Sequence, residues 1–157
     1  MNCSNLFHDH GNCDLCARFA RILESSIIQS SPDLCVITRV RNISPTIAGI
    51  PTRSPLVINA LFSFEPVDKC RALNLGETVI LQEEINPFID ALREQDIIVT
   101  ALHNHWLFED PRLFYIHFFS IEDPITFAKK VAAAFEILEN GYYHCRKPNH
   151  TDWQGNF

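Results

Sequence analysis

The chain has 157 residues, 46% of them hydrophobic and 20% charged, with a formal net charge of −6. This is about one ordinary domain with enough length to bury its own core, and the balance excludes disordered and fibrous classes. The 13 Lys and Arg are spread along the sequence, which argues against nucleic acid as a partner, and no apolar run reaches the roughly 18 residues of a membrane span.

The first dozen residues are polar and contain Cys3, His8 and His10. They have neither the basic start nor the apolar core of a signal peptide, so a cytoplasmic location is expected. On that expectation the six cysteines are reduced thiols or metal ligands rather than disulfides. Leu15, Phe19, Ile22, Leu23 and Ile27 then fall at helical spacing, with Asn12 or Asp14 as the cap and 30–33 as the stop. "LCVITRV" (34–40) is rich in β-branched residues and reads as a strand. Three prolines and a glycine make 41–55 a long loop. A second strand is expected over 56–66, a connection with a turn at Asn74–Gly76, and a third strand over 78–82.

Ile85, Phe88, Ile89 and Leu92 form the apolar stripe of a second helix, with Pro87 tolerated in its first turn. Strands follow over 97–105 and 112–120, joined by "WLFEDP". Asp123 caps a last helix whose buried face is Phe127, Val131, Ala134, Phe135 and Leu138, ended by Gly141. The tail over 142–157 shows no periodicity. The order predicts one α+β domain over 1–157: a mainly antiparallel sheet of about five strands with two or three helices packed on it. The segment 1–12 is set apart as an N-terminal Cys/His-containing stretch.

Chemistry concentrates in "ALHNHWLFEDPRLFYIHFF" (101–119), which holds His103, His105, Glu109 and His117 among apolar residues. Alternate strand residues share a face, so His103 and His105 point the same way. A hairpin centred on Glu109 places His103 opposite Tyr115, with His117 diagonal to it, while a one-residue slip would send His117 to the other face. In that register three imidazoles and a carboxylate converge, a donor set for a divalent metal, zinc foremost, with an open position able to activate water. Glu109 is the fourth ligand or a general base. Arg112 and Asn104 are candidate ligand-binding residues, with Arg112 alternatively pairing with Glu109 or Asp110. The bland alternative is that each histidine is a half-buried, hydrogen-bonded sheet residue. The His-x-His-x3-Glu spacing also matches a cupin metal motif, but five glycines and clear helices argue against that barrel.

A second possible metal site is Cys3, His8, His10, Cys13 and Cys16, where Cys13-x2-Cys16 has the spacing of a zinc knuckle. A redox role at the helix start, or simple packing of Cys16, are the alternatives. Cys35 and Cys70 read as buried thiols, and His144 and Cys145 are left unplaced.

The run from Val79 to Leu138 resembles the LppY/LpqO-like family of bacterial proteins, a domain of unknown function. The resemblance rests on Glu84–Pro87, Leu102–His105, Glu109–Arg112 and His117–Phe118, and extends more faintly back to Leu34. It implies that the histidine hairpin is the family's site and supplies no reaction. Some members are exported lipoproteins, whereas no signal peptide or lipobox is read here. The expectation is a metal-binding protein of uncharacterised function, with metal-dependent enzymatic action on a small polar substrate as one form of it. A non-catalytic ligand-binding or interaction module with a structural N-terminal zinc is the alternative. A small-molecule ligand and a homo-oligomer are the partners considered, with neither nucleic acid nor membrane.

Overall fold

The computed structural model describes residue 7 and residues 11–140, with side chains at residue 7 and over 14–138. The predicted tail and most of the N-terminal segment lie outside the described residues. The elements are α1 (Gly11–Ile22), β1 (Ser26–Ser30), β2 (Cys35–Val40), β3 (Thr46–Ile47), β4 (Ile50–Pro51), α2 (Pro55–Ile58), β5 (Asn59–Pro66) and β6 (Ala72–Leu81). A 3-10 turn (Gln82–Glu84) leads to α3 (Ile85–Glu94), β7 (Ile98–His103), β8 (Glu109–Asp110), β9 (Leu113–Glu122) and α4 (Pro124–Asn140). The fold is α+β, as predicted. A six-stranded sheet runs in the order β1-β2-β5-β6-β9-β7 with every neighbouring pair antiparallel, and a small sheet has the order β4-β3-β8.

The alternation of β6 and β9 sets the two faces of the large sheet. Even-numbered residues (Ala72, Asn74, Thr78, Ile80; Ile116, Phe118, Ser120) are buried towards α1, α3 and α4. Phenylalanines fill that layer. Phe88 meets Phe135 edge-on at 5.4 Å between ring centroids, Phe62 meets Phe135 at 5.4 Å, and Phe19 meets Phe64 at 5.1 Å. Edge-to-face pairs of this kind add to what area burial alone contributes. α4 presents the predicted face, and Asp123 caps it by accepting from the Thr126 amide at 2.8 Å.

Odd-numbered residues of the same strands lie on the opposite face. At one end, Val79, Leu113 and Tyr115 form a second small core with Val57 and Ile58, and Ile43, Ile47, Leu81 and Trp106 pack against it. The small sheet, built from the predicted loop and from β8, covers this end. Tyr115 donates its hydroxyl hydrogen to the Val57 carbonyl at 2.9 Å, which ties sheet to cover. Where the covering loop meets α3, the nearly buried Arg41 donates from Nη2 to both carboxylate oxygens of Glu84, at 2.7 and 2.8 Å. Glu84 also accepts the Leu81 amide at 2.8 Å.

Four sequence expectations are corrected. The first helix ends at Ile22, because Glu24 takes a positive φ of 49° and the chain turns into β1, leaving Ile27 exposed on an edge strand. The turn expected at Asn74–Gly76 is the middle of the ten-residue strand β6. Asn74 sits there because its side-chain amide donates to the Ala72 and Glu122 carbonyls, both at 3.1 Å. Gly76 sits there because a Cβ would collide with the Phe118 ring lying across it. The strand expected from Leu56 starts at Asn59, since Ser54 caps the short helix α2 by accepting from the Leu56 amide. Finally, Cys35 is no free thiol: Cys16 and Cys35 form a disulfide with Cα atoms 5.7 Å apart, and Cys70 is disulfide-bonded too. Among the described residues no helix is long and apolar enough to cross a membrane.

Candidate metal centre

β7 pairs with β9 so that His103 stands opposite Tyr115 and Ala101 opposite His117. This is the register expected from the hairpin, and it puts His117 diagonal to His103 on one face. β7 stops at His103, where the Asn104 side-chain amide donates to the Leu113 carbonyl at 2.6 Å. That bond bends the chain over β9 and lays the His105 ring flat on Tyr115, with centroids 3.6 Å apart and planes 7° from parallel. The His103 ring lies between its two partners, with centroids 4.9 Å from both His105 and His117. One ligating nitrogen from each of the three histidines falls within 4.8 Å of the others.

The closest approach is His103 Nε2 to His117 Nε2, at 2.9 Å. Their far sides determine what that contact is. His117 Nδ1 faces a carboxylate oxygen of Glu77 at 3.2 Å, and His103 Nδ1 faces the Asn104 carbonyl at 3.4 Å. Each acceptor calls for a proton on its Nδ1, and a neutral imidazole carries only one. With those tautomers both Nε2 atoms present lone pairs to each other, and a proton or a metal ion would bridge them. The third ring is prepared for the same role. Burial pushes the His105 pKa down, which favours the neutral ring with a free lone pair.

Glu77 is the carboxylate that the sequence reading missed. It stands directly opposite His117 in the β6–β9 register and shares its face. The signal was parity. An unbroken strand from Ala72 to Leu81 puts Glu77 in line with Val79 and Leu81 on the site face, but the misplaced turn hid that alternation. A carboxylate in this position fixes the tautomer and orientation of the imidazole it faces.

The other predicted residues fall elsewhere. Glu109 is not among the three clustered ligand residues. β8 pairs it with Ile47, and its carboxylate is fully buried, 3.5 Å from Arg112 Nε. That contact realises the alternative pairing of Arg112, which lines a shallow depression with Gln82, Glu83 and Pro111 rather than the triad. Asn104 is spent on the Leu113 carbonyl. Trp106 packs into the small core, while Leu107 and Phe108 are exposed. Of the N-terminal set, Cys16 is bonded to Cys35 and so has no thiolate to offer a metal. Cys3, His8, His10 and the Cys13 side chain lie outside the described residues, as do His144 and Cys145.

Among the described residues, nothing covers the large sheet beside the triad. A groove of about 490 Å³ lies along it, with His117 and Glu77 in its wall and Val36, Leu61, Leu75 and Phe119 as its main apolar lining. Among known proteins, the family described as Domain of Unknown Function (DUF1259) matches residues 17–137. No curated protein and no solved structure matches the chain.

Proposed function

Since the chain belongs to that family, whose description names no activity, we propose a function from the geometry of the site: it binds a divalent metal ion, zinc foremost, through His103, His105 and His117. The observation that carries this is the pair of facing Nε2 atoms at 2.9 Å, each backed by an acceptor on its own Nδ1. Three neutral imidazoles suit zinc and its neighbours, and three protein ligands leave a fourth position open. When bound, the ion supplies Lewis-acid polarisation of an oxygen at that position. The protein's own residues hold the rings: Glu77 orients His117, the Asn104 carbonyl orients His103, and the Tyr115 face supports His105. The finer LppY/LpqO-like kinship belongs to this proposal as well, since Leu102–His105 and His117–Phe118, on which it rests, supply the three histidines.

Elemental analysis of untagged protein tests the reading. About one equivalent of a first-row divalent metal per chain is expected, falling to background in a His103→Ala/His105→Ala double variant. Equal metal content in both proteins would leave the facing nitrogens bridged by a proton alone and sink the site.

A further inference from the structure

β7 pairs irregularly at one point, between the residues that serve the core and those that serve the triad. Ile98 stands opposite Phe119 and Val99 opposite Phe118, yet it is Ala101 that stands opposite His117. Two steps on β7 answer one step on β9, so Thr100 is the extra residue of a β-bulge. Its effect on side-chain direction can be counted, because residues directly opposite each other share a face. Val99 follows Phe118 towards the helices and packs against the large core, while His103 follows Tyr115 onto the site face. These two residues are four apart, and in an unbroken strand they would share one face. A regular ladder continued from Val99 would set His103 opposite Phe114 and turn it away from His117. One continued back from His103 would set Val99 opposite Phe119 and pull it out of the core. The bulge lets both side chains keep their places.

We propose that Thr100 is a positioning residue for the triad, and that the bulge it makes re-aims β7 so that His103 reaches His117; this rests on the metal reading above. The Thr100 hydroxyl donates to the His117 carbonyl at 3.1 Å, which pins the extra residue to the strand that carries the third histidine. A bulge bends its strand and adds right-handed twist, and bulges beside sites turn side chains in this way. The triad needs such a turn. His117 is diagonal to His103, and diagonal neighbours in a regular sheet lie roughly 7–8 Å apart. Bringing their Nε2 atoms to 2.9 Å requires side chains that lean along that diagonal, which added twist supplies. Ala101, directly across from His117, carries only a methyl group. It leaves the His103 ring room to lie against His117, with the two planes 13° from parallel.

Zinc affinity of the full chain by chelator competition, read beside interstrand NOEs and denaturant unfolding of the metal-free protein, tests this. Thr100→Val keeps the shape of the side chain and loses the hydroxyl. Its zinc affinity is expected to fall about fivefold, the size of one net hydrogen bond, and Thr100→Ser should restore it to within about twofold of the parent. The unfolding midpoint should not move in either variant, since Thr100 is exposed. Deleting Thr100 preserves the alternation, with Val99 inward and His103 outward, but removes the added twist. That variant should keep the NOE between His103 and Tyr115 and lose at least about tenfold in zinc affinity. A deletion variant that binds zinc as tightly as the parent overturns the proposal and leaves the metal site standing. Should the deletion misfold, Thr100→Val binding like the parent, or Thr100→Ser binding as weakly as Thr100→Val, overturns it equally. So does a fall in stability that matches the fall in affinity, which would make the bulge a purely structural feature. A parent chain that takes up no zinc fails at the metal reading, and this proposal with it.

Discussion

The two faces of the six-stranded sheet are made by the same strands and do opposite things. Towards the helices, Phe62, Phe118, Phe88, Phe127 and Phe135 interlock, and none is more than 1% exposed. On the other face the same β6 and β9 carry Glu77 and His117, half-exposed and polar, between an end covered by the small core and an end that no described residue covers. Neighbouring residues on one strand thus serve stability and chemistry in turn: Phe118 then faces the core while His117 faces the site. Strand alternation keeps the two sets of side chains apart by the thickness of one backbone. A site can then be exposed and under-packed without loosening the core that holds its strands in register.

The largest break in this comparison is on the core face. Phe88→Ala removes the ring that touches both Phe118 and Phe135, and should lower stability by about 3–5 kcal/mol in denaturant unfolding. Metal content of the protein that remains folded should not change. Metal lost from folded Phe88→Ala protein would mean that the faces are coupled and that the site depends on core packing beyond the strands themselves.

A subtler break sits one residue from the site. In Gly76→Ala the added methyl meets the Phe118 ring, and the ring must move on the core face. The cost should be about 1–3 kcal/mol, the usual range for overpacking. Because Gly76 adjoins Glu77 and Phe118 adjoins His117, this variant sharpens the test. Zinc affinity within about twofold of the parent would show that one backbone layer insulates the site, in line with the near-additivity of contacts that share no partner.

How much of this was legible from the sequence follows the same division. The core face was readable because its signal is periodic: Phe127, Val131, Ala134, Phe135 and Leu138 recur at helical spacing and all are buried. The triad was readable because His103 and His105 are two apart and the hairpin register could be counted to Tyr115. What failed was read from composition. Asn74 and Gly76 look like a turn and are strand residues, one for side-chain bonds to backbone carbonyls and the other for a ring across the sheet. That error concealed Glu77. Glu109 was drawn into the site by its nearness in sequence, yet β8 pairs with β3, an element more than 60 residues away within a stretch read as loop. The disulfide depends on the same kind of long-range placement, which spacing alone cannot supply.

The smallest effect on stability is expected from the variant that isolates the site face. Glu77→Gln keeps the shape of the side chain and an oxygen for His117 Nδ1, and removes the charge. Changing the partner that orients a ligating imidazole costs about 10–100-fold in metal affinity, measurable by competition with a chromophoric chelator. Stability of the metal-free protein should stay within about 0.5 kcal/mol of the parent, because Glu77 is partly solvated and packs no core. The two readouts together discriminate. An unchanged affinity would mean that Glu77 does not set the His117 tautomer and that the His117 Nε2 lone pair is not held towards His103. A loss of stability equal to the loss of affinity would make Glu77 a structural residue, and the separation of the two faces would fail at β6. Weakened metal binding with stability intact is the outcome expected, since the carboxylate touches the His117 ring on the face away from the helix-covered core.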